Sequence, residues 1–408
     1  VSRRSLAEHT EAVVARGERM GAIAVLTPDA AGAMLAEDLR AEGPLPPVAT
    51  ATCDGYAVVA DEVGDASEAS PVTLQVSHDV SWKSRSPGRH IAGTAARIAS
   101  GAPLPRGADA VVPAEATDGG IAKVAIQAAS HAGANVLSEG AEAAAGQVLV
   151  SAGTRLGAQQ LALAAMLGRR RVSVYPTPRV VIVAAGAELT EPGSRSRGGV
   201  PESTTHALAI MAQEAGAQAY RVGVLPHDRI GMRTAIEDQL VRADVVVTTG
   251  GLSGQEDPLR AVLEELGSCD VAQVALMPGR WHGVGAISLG EADQGTPVVA
   301  LPGDPAAAII AFEMYVRPLL RMMSGHAETA RRSLDVPIDR DIESSEGVVH
   351  CVPVAISGPR DQVSATVVGD PWHPSLVALA QADALAVVPD HVTHVGAGQT
   401  VPCLMWNS

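Results

Sequence analysis

The sequence predicts a multidomain α/β protein, and three observations carry that expectation. At 408 residues the chain exceeds what one hydrophobic core serves, and two to four domains are expected. Between about residues 179 and 323, β-branched apolar runs alternate with segments of helical periodicity. That pattern belongs to a three-layer domain built around a mainly parallel sheet. On either side, from Val48 to about Asn135 and again beyond Gly325, short Val/Ile runs broken by Gly and Pro indicate small β-rich domains.

Taken in order, Leu6, Val13 and Val14 set among charges predict one amphipathic helix over 5–20. A second helix is expected from Pro28 to Arg40, with Thr27 as its cap. Gly43-Pro44-Leu45-Pro46-Pro47 then forms a rigid break read as a domain crossing. The β-rich stretch that follows contains CDGYAVVA at 53–60 and IASGAPLPRGADAVVPAE at 98–115. Helix returns over Gly153–Gly168. Arg179–Ala184 reads as a buried strand that ends at Gly186 and Glu188, and Ser203 as the cap of a helix through Leu208, Met211, Ala212 and Ala215. A strand at 221–225 and a helix near 229–241 follow. The last apolar run of this region, 298–305, leads into a long helix through Phe312, Val316 and Leu319.

The hub of the chain is the stretch 244–258, DVVVTTGGLSGQEDP. Val245–Val247 suit a strand buried on both faces. Gly250 and Gly251 allow a sharp turn and close approach of the backbone to a ligand. Asp257-Pro258 reads as a helix start, and Leu259, Val262, Leu263 and Leu266 make its apolar face up to Gly267. Strand, glycine turn and helix N-terminus together suit anion binding beyond the carboxyl ends of the strands.

Four strand ends carry Gly, Pro or acid: Gly186–Glu188, His227-Asp228, Gly250–Asp257 and Pro302–Pro305. Their convergence would supply backbone N–H donors and carboxylates, which suits a Mg²⁺-bridged phosphate or oxyanion. Simpler readings stand beside this one. Ser203, Asp257 and Asp304 serve equally as helix caps, Glu188 as a solvated loop acid and His227 as a surface histidine.

Composition excludes several classes. The net charge of −15 without a basic patch argues against a nucleic-acid partner. No run of eighteen apolar residues predicts a membrane span. The opening VSRRSLAEHTEAVVAR carries charges through its apolar positions, unlike a secretory signal. Cys53, Cys269, Cys351 and Cys403 lie far apart without CxxC spacing, which points to the reduced cytoplasm and away from zinc.

Five stretches occur together in order: CDGYAV (53–58), SGAPLPRGADAVV (100–112), TTGGLS (248–253), PGRWHGVG (278–285) and LPGDPAAAIIAFEMYVRPLL (301–320). With them the chain resembles, over essentially its whole length, the MoeA family of molybdopterin molybdenumtransferases, to which the E domain of gephyrin is related. The resemblance implies an elongated homodimer of four-domain chains. It would comprise an N-terminal helix (1–26) packed on the α/β domain, a discontinuous linker domain (27–48 and 138–171) and a β-rich insertion domain (49–137). An α/β domain (172–326) and a C-terminal β domain (327–408) would follow.

The implied reaction is insertion of molybdate into adenylated molybdopterin with Mg²⁺, between one subunit's α/β domain and the other's insertion domain. Asp54, Glu188, Asp228 and Asp257 are the candidate catalytic residues, the last three also for Mg²⁺. Ser100, Gly101, Gly250, Gly251, Ser253, Arg280, Pro302, Gly303 and Asp304 are the candidate ligand-binding residues. Several positions depart from the family's pattern: Ala187 stands for an acid, Thr204 for Asn, Met277 for Lys and Asp304 for Asn. Met277 removes a cation and Asp304 adds an acid where phosphates belong, so weakened binding is expected. Two functions remain open, the transferase itself and a catalytically degenerate, gephyrin-like dimeric scaffold. The scaffold would hold a peptide tail of a cytoskeletal or cell-division protein near its C-terminal domain.

Overall fold

The computed structural model describes residues 3–83, 88–194, 199–252, 258–288, 290, 295–359 and 363–406. They form two compact units, one of Val1–Ala36, Gly153–Gly157 and Arg171–Ser408, the other of Glu37–Ala152 and Ala158–Arg170.

The second unit is built on a five-stranded sheet. Its strands are β1 (Gly55–Val58), β2 (Val72–Val80), β3 (Thr94–Ile98), β4 (Ala110–Pro113) and β5 (Lys123–Ile126), in the spatial order β5-β2-β3-β1-β4. Tyr56, Val58, Leu74, Val112, Val124 and Ile126 fill one side of it, and Ala57, Val80, Ile98 and Val111 the other. This is the β-rich character expected of 49–137. The helix expected over Gly153–Gly168 is α2, Ala158–Met166.

The first unit centres on a seven-stranded sheet in the order Arg3–Arg4, β9, β10, β11, β8, β6, β7. The strands are β6 (Arg179–Ala184), β7 (Gln218–Val224), β8 (Val245–Thr249), β9 (Gly267–Val274), β10 (Trp281–Ile287) and β11 (Thr296–Leu301). β7, β6, β8 and β11 run parallel, while β10 is antiparallel to both its neighbours. Alternation of side chains along the pleat divides the core into two layers. Val180, Ile182, Val245 and Val247 pack with Leu208 and Met211 of α3 (Thr204–Glu214) and with Phe312 and Tyr315. Val181, Val183 and Val246 pack on the opposite side with α4 (Arg229–Leu240) and α5 (Pro258–Leu266), through Met232, Ile236, Leu259 and Leu263. The expected three layers are thus present.

β11 leads through α6 (Pro305–Ala311) and a π-helical turn (Phe312–Val316) into α7 (Arg317–Met323). Three charged side chains are buried there. Arg331 donates to Glu313 Oε1 at 2.7 Å, Arg317 approaches the same oxygen at 3.3 Å, and Arg331 also reaches Glu214 at 3.0 Å. Ion pairing of both guanidinium groups to Glu313 Oε1 offsets that burial, since each ion alone would cost several kcal/mol.

Beyond residue 332 the chain folds as β12 (Ser333–Pro337), β13 (Val349–Ser357), β14 (Ser364–Val367), β15 (Ala384–Val388) and β16 (Thr400–Met405), with α8 (Leu376–Gln381) between β14 and β15. Leu276–Met277 joins this sheet, pairing in parallel with Val349 and His350 of β13.

Three expectations need correction. The second helix over Pro28–Arg40 does not exist. Thr27–Ala30 forms one 3-10 turn, and Gly32 follows with a left-handed φ of +79°. Met34–Leu35 then pairs with Val174–Tyr175, and Leu39–Arg40 with Val148–Val150. The first helix is shorter than 5–20. α1 spans Leu6–Val14 and starts at a capping box in which Glu8 N donates to Ser5 Oγ and Ser5 N to Glu8 Oε2. Finally, β9 and β10 fill a segment read only as motif. Gly267 opens β9 rather than capping α5 with a left-handed residue, and a Cβ there would lie 2.3 Å from the Ala286 carbonyl oxygen.

Candidate functional site

The parallel strands set where a ligand can bind. From β6 the chain crosses through α3 to β7 on one side, then returns through α4 to β8 on the other side of β6. The strand order therefore reverses between β6 and β8, and a crevice opens outside their carboxyl ends. A cleft of about 1470 Å³ lies there. Ala185–Leu189 after β6, Thr249–Leu252 after β8 and Pro302–Pro305 after β11 line it, with His227 and the loop Ala275–Trp281.

Close backbone approach builds this end of the sheet. Gly250 and Gly251 both have left-handed backbones, at φ +82° and +71°. A Cβ on Gly250 would come within 2.1 Å of the Ala185 carbonyl oxygen, and one on Gly303 within 3.3 Å of the Gly250 Cα. Thr249 Oγ1 donates to the Pro302 carbonyl at 2.8 Å and ties the turns after β8 and β11 together. Gly279, at φ +95°, would set a Cβ 3.0 Å from Pro302, so the 278–280 loop presses on the same turn. Gly250 admits only glycine at reasonable cost, the left-handed backbones of Gly251 and Gly279 favour it, and these turns bring backbone to the cleft.

Of the candidate residues, Glu188, Gly250, Gly251, Arg280, Pro302, Gly303 and Asp304 line the cleft together. Asp304 also caps α6, its Oδ1 accepting from Ala307 N at 2.8 Å. Asp304 thus both caps α6 and lines the cleft. Asp228 does not line the cleft, although His227 does; its Oδ1 caps α4 by accepting from Gly231 N at 2.7 Å. Ser253 and Asp257 lie outside the described residues. Asp54, Ser100 and Gly101 belong to the other compact unit. There the Asp54 carboxylate accepts from Ser100 N at 2.7 Å and Gly101 turns at φ +75°.

Ser203 makes no side-chain cap to α3. Its buried neighbour Glu202 does so instead, accepting from Thr205 N at 2.8 Å. Arg221 donates to Thr205 Oγ1 at 2.7 Å and pairs with Glu191 at 2.7 Å and Glu202 at 3.4 Å. The Arg221 side chain holds Glu191 below the usual carboxylate range. This network fixes the wall of the cleft that carries Glu202 and Thr204.

Sequence reasoning missed Arg3, Trp281, Trp372 and His373, which also line the cleft. Arg3 comes from the N-terminal strand paired with β9, and Trp372 and His373 from the turn before α8. Tryptophan's rarity was the available signal, since only four occur in the chain.

Among the described residues no group of three His, Cys, Asp or Glu side chains is placed to hold a metal. Hard divalent cations take several oxygen ligands; of the proposed set Glu188 lines the cleft, Asp228 caps α4, and Asp257 lies outside the described residues. No helix of the described residues is long and apolar enough to cross a membrane.

Family models match nearly the whole chain. Residues 4–168 match the MoeA N-terminal region (domain I and II), residues 181–322 the probable molybdopterin binding domain, and residues 335–406 the MoeA C-terminal region (domain IV). Molybdopterin molybdenumtransferase 1 of Mycobacterium tuberculosis is 35% identical over 98% of this chain and 98% of its own length. Molybdopterin molybdenumtransferase 2 of the same organism is 32% identical over 97% and 98%. A molybdopterin biosynthesis MoeA protein of known structure from Pyrococcus superposes with a TM-score of 0.84 at 29% identity, covering 100% of both chains. By these matches along its length, and by the glycine-built cleft at the head of its parallel sheet, the chain belongs to the MoeA family of molybdopterin molybdenumtransferases.

Proposed function

We propose that this protein inserts molybdate into adenylated molybdopterin. The observation that carries the reading is the cleft at the reversal of strand order, where three consecutive turns present glycine backbone to one space. Such a site suits a ligand with a phosphate end, because backbone N–H groups and nearby guanidinium groups bind anions without a dedicated pocket for each oxygen. Arg3 and Arg280 supply the positive charge of the cleft, and Glu188, Glu202 and Asp304 its acids. Glu188 would orient the bound substrate. Asp54, Ser100 and Gly101 would complete the site from the other compact unit of a second subunit, so the working form proposed is a homodimer located in the cytoplasm.

Mg²⁺ enters the proposal only as an ion accompanying the phosphate-bearing substrate, and no step here is routed through it. No specific feature of the described residues favours the scaffold alternative. The test is direct: purified protein, adenylated molybdopterin, molybdate and Mg²⁺ are combined, and loss of the adenylated form is followed. Molybdate-dependent loss supports the proposal. A protein that binds neither substrate nor converts it at high concentration overturns it.

A further inference from the structure

Aromatic residues make up 2% of this chain, with four tryptophans, yet two of the four line the same cleft. Trp281 opens β10 and its ring packs partly into the core against the α4–α5 layer. Trp372 is different. It sits in the turn before α8, remains 37% exposed, and owes nothing to a hydrophobic core.

The turn that carries Trp372 is nevertheless held firmly. Trp372 N donates to Asp370 Oδ1 at 2.9 Å, closing the turn from within. The fully buried His350 lies behind the indole, with ring centroids 5.3 Å apart and planes tilted by 38°. His350 Nε2 donates to the Pro371 carbonyl at 2.7 Å, one residue before the tryptophan. Burial also keeps that imidazole neutral by pushing its pKa down, which suits a packing surface rather than a charge. His350 is in turn the register partner of Met277, immediately before the Pro278-Gly279-Arg280 loop of the cleft. The indole and the phosphate-facing loop thus hang from one strand pair. An exposed tryptophan held this way gains nothing for the free protein by its exposure.

We propose that Trp372 is a stacking platform for the planar heteroaromatic ring of the bound substrate, with His350 as the residue that positions it. The inference rests on the reading of the cleft as the adenylated-molybdopterin site. Two rings of that substrate share the required chemistry, adenine and pterin, and the test separates them.

Wild type, Trp372→Ala and Trp372→Phe are titrated by calorimetry with AMP, with a phosphate-free pterin and with inorganic pyrophosphate. Loss of one base–aromatic stack weakens the ring-bearing probe about 5- to 150-fold in Trp372→Ala. Trp372→Phe keeps most of that affinity, and pyrophosphate binds all three proteins alike. Loss confined to AMP assigns the platform to adenine, and loss confined to the pterin assigns it to the pterin. Undiminished binding of both rings to Trp372→Ala overturns the proposal while leaving the cleft's function standing. A pyrophosphate affinity that falls in parallel also overturns it, because the substitution then acts by deforming the loop. Wild-type protein that binds none of the three probes overturns the reading of the cleft itself, and this inference with it.

Discussion

At the residue scale, Asp304 caps a helix and also places a negative charge on the cleft wall. Its carboxylate caps α6 through Ala307 N, and acid at a helix N-terminus is favourable in the free protein. The same charge faces the cleft beside Gly303 and Gly250. Asparagine caps about as well as aspartate, so Asp304→Asn should leave stability nearly unchanged. It should tighten binding of adenylated molybdopterin by roughly fivefold, on the order of 1 kcal/mol for removing one like charge near the phosphates. Parallel melting and titration curves check both halves of this expectation. The cap at Asp304 was legible from its place before Pro305. The true cap of α3 was not, because Glu202 reaches Thr205 N from outside the usual capping position.

At the scale of elements, α1, β10 and the π-helical turn meet in a buried cluster of His9, His282 and Tyr315. His9 lies edge-on to Tyr315 with centroids 4.8 Å apart, and the Tyr315 hydroxyl shares a 2.6 Å hydrogen bond with His282 Nδ1. Neither ring nitrogen of His9 finds a hydrogen-bond partner among the described residues. Burial, reinforced by Arg4, lowers His9 to about 4, and burial with neighbouring His9 lowers His282 to about 3. The unfolded chain therefore binds more protons than the folded one below the ordinary histidine pKa. Stability from this cluster is full above about pH 6.5 and is lost as pH falls towards 4 and then 3. Each histidine contributes a slope of up to about 1.4 kcal/mol per pH unit in that range. In His9→Phe, denaturant unfolding across pH 4 to 7 should show a shallower slope than wild type. An unchanged slope would remove His9 from the account. None of this was readable beforehand, since a lone histidine in an amphipathic helix gives no hint of partners 273 and 306 residues away.

At the scale of the whole molecule, legibility followed how local the determinants are. β6, β8, α4, α5 and the helix after Pro305 announced themselves by valine runs, 3.6-residue periodicity and Gly or Pro at their ends. The segment Pro28–Arg40 misled because its Ala, Leu and Glu content favours helix while its pairing partners lie more than a hundred residues downstream. Strand partners at that distance leave no periodic trace. The candidate site divided in the same way. Glycine turns after strands were visible, and most of the residues drawn from them do share one cleft. Arg3 and Trp372 enter that cleft from the N-terminal strand and the C-terminal domain through tertiary pairing that no motif encodes.

The proposed binding of the phosphate-bearing end of a pterin substrate in this cleft draws on Arg280, one of two guanidinium groups among its described lining. Adenylated molybdopterin titrated calorimetrically into wild type and Arg280→Ala tests it most directly. A charge-assisted hydrogen bond is worth about 1.5–3 kcal/mol, so the variant should bind roughly 10- to 150-fold more weakly with an unchanged melting temperature. Equal affinity of the two proteins for the ligand would contradict the account.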